Sequence, residues 1–178
     1  MKAKEASWPE QLHRTLKDAG VRLVGYVPDA GHKRLIELCH ADRDVRAVVL
    51  STEEEGIGLL GGAWLGGVRG ALLMQSSGVG NCINHLATVR ECRFPLLMLV
   101  TMRGQVGEFN PWQVPMGQAT PAVFSAMGVV VKEANAPEAI APTVDAAARL
   151  AFGSYQAVAV LISQAVIGIK SFQDQASR

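Results

Sequence analysis

Short apolar runs alternate with segments of helical period along almost the whole chain, and this alternation constrains the fold more than any other feature. The runs at 22–27, 45–51, 71–75, 96–101, 129–132 and 157–163 are rich in Val, Leu and Ile. Several are apolar nearly throughout, as expected of strands buried on both faces of a parallel sheet. Helical segments fall between them at 32–40, 53–65, 79–92, 120–127 and 137–152. An earlier helix is expected at 9–19, where Ser7 can cap, Trp8, Leu12 and Leu16 recur every four residues, and Gly20 stops the helix. A βαβ series of this kind predicts an α/β domain that is doubly wound, with a mostly parallel six-stranded sheet and helices on both faces. All 178 residues fit one domain, with a core over about 19–163.

Composition narrows the function classes. Half the residues are apolar and net charge is only +1, so the chain has the makings of a packed core rather than of disorder. No basic stripe interleaved with aromatics is present, so nucleic acid is not expected as a partner. Apolar runs are broken by Gly or charge well short of the ~20 residues that span a bilayer. Residues 1–11 do not read as a signal peptide. The three cysteines, Cys39, Cys82 and Cys92, form no CxxC pair and are expected to be free core thiols. A cytoplasmic location is the simple expectation.

In such sheets ligands bind at the carboxyl ends of the strands. That places attention on 28–32, 52–56, 76–81 and 102–117. The second of these opens the most informative stretch, Ser51-Thr52-Glu53-Glu54-Glu55-Gly56. A helix start decorated with acids is favoured by the macrodipole, by roughly 0.3–1 kcal/mol each. That alone accounts for two of the three carboxylates. The following helix is unusual, because it carries Gly56, Gly58, Gly61 and Gly62. Each interior Gly costs roughly 0.8–1 kcal/mol against Ala, so the helix is shaped for close approach to another helix, a backbone or a flat ligand. Gly56-Ile57-Gly58-Leu59-Leu60-Gly61 also matches a dinucleotide fingerprint. Against that reading, the three glutamates would repel a pyrophosphate, and no acid lies between Gly56 and Arg90 to hold a ribose.

The third segment is Gln75-Ser76-Ser77-Gly78-Val79-Gly80-Asn81. It reads either as a tight βα turn with Ser caps or as an anion-cradling loop. It is no P-loop, since the Lys-Ser/Thr pair is missing. The longest loop, 102–117, has a length that usually marks a functional or disordered segment.

Taken together, Glu53 to Gly62, the run 71–75 and the loop ending at Asn81 resemble the pyrimidine-binding (PYR) domain of thiamine-diphosphate enzymes. The resemblance is nearest to sulfopyruvate decarboxylase alpha subunits and phosphonopyruvate decarboxylases. Met102-Arg103-Gly104-Gln105-Val106-Gly107-Glu108, with Gln113 to Gly117 downstream, also fits, and Val27-Pro28-Asp29 fits weakly. Ser76 stands where the pattern usually has Asn.

The resemblance implies a thiamine-diphosphate-binding fold of PYR type and a carboxy-lyase acting on a 2-oxo acid. It implies that Glu53 hydrogen-bonds a ring nitrogen of the aminopyrimidine and so promotes proton loss from the thiazolium carbon. Glu54 is the alternative register. Thr52, Ser76, Ser77, Gly78 and Asn81 are the other expected cofactor contacts. No metal ligand is expected on this chain. No Gly-Asp dipeptide and no Asn-Asn pair occurs in it, so magnesium and the diphosphate are expected on a separate PP-domain beta subunit. Self-association is expected as well.

A substrate with an anion at C3, such as sulfopyruvate or phosphonopyruvate, needs cations or donors. His32, His85, Arg103 and Gln113 are the candidates, with Lys33 beside them. His32 and Lys33 read first as a solvated helix start, and His85 could be a satisfied core histidine. His13 and His40 read as surface residues. Phe109 and Trp112 could form a lid or an interface. A carboligase, another 2-oxo acid decarboxylase, and a non-catalytic PYR-like or nucleotide-binding module remain as alternatives.

Overall fold

The computed structural model describes residues 6–168, which form a six-stranded sheet in the order β2-β1-β3-β4-β6-β5. The strands are β1 (Val21–Tyr26), β2 (Arg46–Val49), β3 (Arg69–Gln75), β4 (Leu96–Thr101), β5 (Val130–Ala134) and β6 (Ala157–Ile162). The helices are α1 (Trp8–Asp18), α2 (Lys33–Ala41), α3 (Glu53–Leu65), α4 (Val79–Cys82), α5 (Leu86–Cys92), α6 (Gln113–Ala126), α7 (Pro137–Ser154) and α8 (Gln164–Ile167). Every strand pairing is parallel, so the doubly wound architecture is present without an antiparallel strand among the described residues.

The period of two along each strand sends alternate side chains into opposite cores. Ala71, Leu73, Leu97, Leu99 and Val160 meet α1, α2 and α7 through residues such as Leu12, Leu35 and Val144. Leu72, Met74, Met98, Val100 and Leu161 meet α3 to α6 through Ile57, Val79, Leu86 and Phe124. β3 and β4 are central and buried on both faces, which is why their sequences lack a clean polar alternation. The edge strands β2 and β5 are only partly covered. Each fully buried Leu or Ile contributes about 1.5–3 kcal/mol, so the two cores outweigh the glycine cost in α3.

Three expected segments differ. The helix expected at 79–92 is two helices separated by a turn at residues 83–85. Gly80, Asn81 and Asn84 are poor helix formers, and Asn81 is committed to a contact described below. The loop expected at 102–117 ends early, because α6 starts at Gln113 rather than near Thr120. Pro115 is tolerated in the first turn of α6, where its missing N–H has no helical partner to lose. Pro121 lies inside the helix, so packing has overridden the propensity signal. The strand expected at 45–51 shrinks to four residues, at the edge of the sheet.

The strand order reverses at β1: the chain passes from β1 to β2 on one side and then to β3 on the other. Ligands in such sheets lie outside the carboxyl ends at that reversal. Here Asp29, three residues past β1, accepts a 3.0 Å hydrogen bond from Gln75 Nε2 at the end of β3. It also accepts from the Thr101 hydroxyl at the end of β4. These bonds tie together the ends of three strands. No helix among the described residues is long and apolar enough to cross a membrane.

Candidate active site

The three glutamates at the start of α3 have different fates. Glu55 Oε2 accepts the Ser51 backbone N–H at 2.9 Å, and Glu54 accepts the Thr52 hydroxyl. That hydroxyl holds the Glu54 carboxyl below the usual carboxylate range. Both are therefore helix-start caps. Glu53 alone turns inward and is 8% exposed. Its Oε2 accepts a 2.7 Å hydrogen bond from Asn81 Nδ2. Its carboxyl lies against the Cα of Gly78, where any Cβ would overlap it. Gly78 has φ −71°, so glycine is needed there for space and not for backbone freedom. Among the described residues no donor meets Glu53 Oε1. The result is a buried carboxyl, oriented on one oxygen and available on the other, at the carboxyl edge of the sheet.

The turn that carries Gly78 is a 3-10 segment, Ser76–Gly78. Ser77 is exposed, and its hydroxyl donates to Gln75 Oε1 at 2.9 Å. Ser76 is fully buried, and its Oγ accepts the Arg103 backbone N–H at 3.1 Å. Thr52 is the N-cap of α3. Thus Glu53, Gly78 and Asn81 converge, whereas Thr52 and Ser76 have other partners.

The glycines of α3 divide in two. A Cβ on Gly56 would collide with Leu72, and one on Gly61 would press on the Phe94 ring at 3.1 Å. These two allow α3 to sit close to the sheet. Gly58 and Gly62 face open space. With Leu65 and Phe94 they line a groove of about 310 Å³ between α3 and α5.

The expected substrate residues are placed differently from one another. His32 is not at a solvated helix start but is completely buried. Its Nε2 lies 3.1 Å from the Leu99 carbonyl, so Nε2 carries the proton, and Nδ1 has no partner. Burial pushes its pKa down, against the opposing charge of Asp29. His85 is exposed on the groove rather than satisfied in a core. Gln113 opens α6, half-buried, with its Oε1 unpartnered. Lys33 is exposed. His13 is half-buried, 3.3 Å from Asp42, whereas His40 is exposed as expected, with its Nε2 2.7 Å from the Tyr26 hydroxyl. Cys39 and Cys82 are buried thiols pushed up to about 12 by burial, but Cys92 is exposed.

Arg103 is buried and already paired. Its Nε donates to Glu108 Oε2 at 2.7 Å, and its Nη2 donates to Oε1. This guanidinium holds the Glu108 carboxyl down to about 2. Arg103 also lies 5.8 Å over the Phe109 ring, while Trp112 is 79% exposed. Sequence reasoning quoted Glu108 and Asp29 within motifs but gave neither a role. The signal for Glu108 was an acid five residues past an Arg, with Gly104 and Gly107 between them to let the chain turn back. The signal for Asp29 was its place just past a buried strand. Among the described residues no group of His, Cys, Asp and Glu is arranged to hold a metal ion.

Comparison with known proteins follows the same lines. The family model "Thiamine pyrophosphate enzyme, N-terminal TPP binding domain" matches residues 8–108. Sulfopyruvate decarboxylase subunit alpha of Methanococcus maripaludis is 33% identical over 154 residues, covering 86% of this chain and 92% of that protein. The same subunit of Methanothermobacter thermautotrophicus is 33% identical, covering 86% and 93%. Phosphonopyruvate decarboxylase of Streptomyces hygroscopicus is 34% identical over 111 residues, which is 61% of this chain but 28% of that protein. Among solved structures, a 2-oxoglutarate:ferredoxin oxidoreductase from Magnetococcus marinus superposes with a TM-score of 0.69 at 14% identity, covering 92% of this chain and 30% of that one. At that identity the likeness concerns the fold.

Proposed function

The chain belongs to the thiamine pyrophosphate enzymes that share this N-terminal TPP binding domain, and from that premise we propose that it is the pyrimidine-binding alpha subunit of a thiamine-diphosphate-dependent 2-oxo acid decarboxylase. The observation that carries the reading is Glu53, buried at the sheet's carboxyl edge, oriented by Asn81 and fitted against Gly78. The substrate in this reading carries an anion at C3, as sulfopyruvate and phosphonopyruvate do. The names of the relatives support that choice.

The residues present fit the cofactor's aminopyrimidine. Glu53 Oε1 would hold or pass a proton at a ring nitrogen of the bound cofactor, because the Asn81 amide keeps Oε2 engaged and leaves Oε1 without a donor among the described residues. Gly78 leaves room for the carboxyl, and Ser77 closes the turn through Gln75. When bound, the cofactor supplies the electron sink for loss of carbon dioxide. Asp29, Gln75 and Thr101 lock the strand ends, so the carboxyl need not reorganise during the reaction. Arg103, His32, His85 and Gln113 are the residues of this chain nearest in kind to a substrate-anion contact. Among them only Arg103 is both cationic and buried.

Magnesium and the diphosphate belong, in this proposal, to a separate PP-domain beta subunit. The "subunit alpha" in the names of the relatives that the chain spans almost fully supports that division. Self-association is part of the same proposal, with Leu65, 89% exposed, as an apolar contact on α3. The test is reconstitution. The chain co-purified with its beta subunit should release carbon dioxide from sulfopyruvate with thiamine diphosphate and magnesium, and the chain alone should not. Full turnover by the chain alone would reject the split.

A further inference from the structure

Five hydrogen-bond donors converge on the Glu108 carboxylate. Two come from the Arg103 guanidinium, at Nε and Nη2. The Gly104 and Asn110 backbone N–H groups donate at 3.2 and 3.0 Å, and Gln164 Nε2 donates at 3.0 Å. Glu108's side chain is 3% exposed and Arg103's 11%. A guanidinium fork with backbone N–H groups beside it is the donor set that recognises oxyanions. The cradle is therefore an anion site, filled by the chain's own carboxylate.

Arg103 follows β4 by two residues, and its backbone N–H is bonded to Ser76 in the turn that abuts Glu53. Among the described residues it is the only buried arginine or lysine. The same edge carries Asp29, Glu53, Glu54 and Glu55, which repel an anion, so this guanidinium is the buried cation there that can attract one. Gly104 and Gly107 have φ of +73° and +60°, and the residues between them, Gln105 and Val106, are exposed. The backbone of Arg103 is held by Ser76 and Gly117, and beyond it Gln105 and Val106 are tied by four hydrogen bonds to Ser163 and Gln164, so the backbone donors stay in place and what must move is the Glu108 side chain.

We propose that this cradle is the site for the tetrahedral oxyanion of the substrate, and that Glu108 is a built-in competitor that leaves when that anion arrives. A sulfonate or phosphonate places two oxygens on the guanidinium fork. Its third oxygen meets the remaining donors of Gly104, Asn110 and Gln164. Exchange of one anion for another keeps the buried guanidinium paired throughout, which avoids the large cost of an unpaired buried charge. A substrate without a C3 anion leaves Glu108 in place. The inference rests on the proposed substrate class, and its test is independent of catalysis.

The isotope-labelled full chain, without cofactor, is titrated with sodium sulfate at constant ionic strength, and the Gly104 and Asn110 amides are followed by NMR. Removing the internal competitor removes its share of the apparent dissociation constant, so Glu108→Ala should bind sulfate about tenfold more tightly than the wild type. Glu108→Ala combined with Arg103→Met should lose the gain. Glu108→Gln keeps the side chain's shape without its charge and should gain severalfold. If Glu108→Ala disorders the loop, Glu108→Gln decides alone. Equal sulfate affinity in wild type and Glu108→Gln, or affinity that persists without Arg103, would overturn the proposal. In the reconstituted complex Glu108→Gln should also lower KM for sulfopyruvate relative to pyruvate. An active complex in which that ratio does not move rejects the exchange and leaves the decarboxylase reading standing.

Discussion

Asn81 Nδ2 donates to Glu53 Oε2 at 2.7 Å, joining the first turn of α3 to the loop after β3 across 28 residues of chain. The bond selects one glutamate of three. Glu54 and Glu55 satisfy their own helix start, and only Glu53 is directed inward. In the reconstituted enzyme, Glu53→Gln should lower carbon dioxide release by about 10²–10⁴-fold, the usual cost of one acid–base contact. Glu54→Gln and Glu55→Gln should lose far less. Hydrogen–deuterium exchange at the thiazolium carbon separates the registers. If Glu54→Gln is the variant that slows exchange, the assignment shifts by one residue.

Gly78→Ala places a methyl group where the Glu53 carboxyl lies. Overpacking of this kind costs about 1–3 kcal/mol, and here the strain falls on the Glu53–Asn81 pair. Activity should drop sharply while circular dichroism stays native. Gly80→Ala is the control, because its added carbon would meet only the Met116 sulfur at an ordinary 3.5 Å. Equal losses in the two variants would mean that the turn, rather than the carboxyl, is what glycine serves.

Arg103→Ala leaves the Glu108 carboxylate buried without its main partner. Breaking such a pair from one side costs about 3–5 kcal/mol, to be read from urea midpoints of the isolated chain. In the reconstituted enzyme the same change should raise KM for an anionic 2-oxo acid more than for pyruvate. An equal effect on both substrates would reject a role in reading the C3 anion.

The Arg103 guanidinium lowers the Glu108 carboxyl from 4.5 to about 2. A depressed carboxyl contributes stability that is complete above its unfolded value and is lost as pH falls through the folded one. The protection factors of the Gly104 and Asn110 amides, their rates relative to an unstructured chain at the same pH, should therefore be full at neutral pH and fall as pH drops from about 4.5 toward 2. Protection already lost near pH 5 would contradict the pair.

His32 is lowered from 6.5 by burial. Being held neutral, it is fully compatible with the fold above 6.5, and stability falls as pH drops below that value because the unfolded chain then binds the extra proton. His32→Gln should flatten the stability profile below pH 6.5. His13, lowered by burial in the same range, keeps a residual slope. A profile unchanged by His32→Gln would place the acid sensitivity elsewhere.

Much of the fold was legible because its signals are local. Buried parallel strands announce themselves as Val- and Leu-rich runs, and β4 matches its expected span residue for residue. α3 does the same. Propensity failed where packing prevailed. α6 extends seven residues upstream of its expected start, through Pro115, with Gly117 seated on the Arg103 backbone. The helix after β3 breaks in two where poor helix formers meet a side chain with a long-range partner.

Periodicity and residues close together in the chain were enough for the layered α/β architecture, for the expectation of a site at the strand ends and for the resemblance that names a cofactor. They could not decide partners. Which glutamate turns inward depends on Gly78 and Asn81, brought from the far side of β3. Whether Arg103 is free depends on Glu108 folding back over two left-handed glycines and on Gln164 arriving from beyond β6. A lone basic residue at a strand end reads as an available charge. Only the tertiary structure reveals that burial has already demanded a counter-ion and that the chain supplies one.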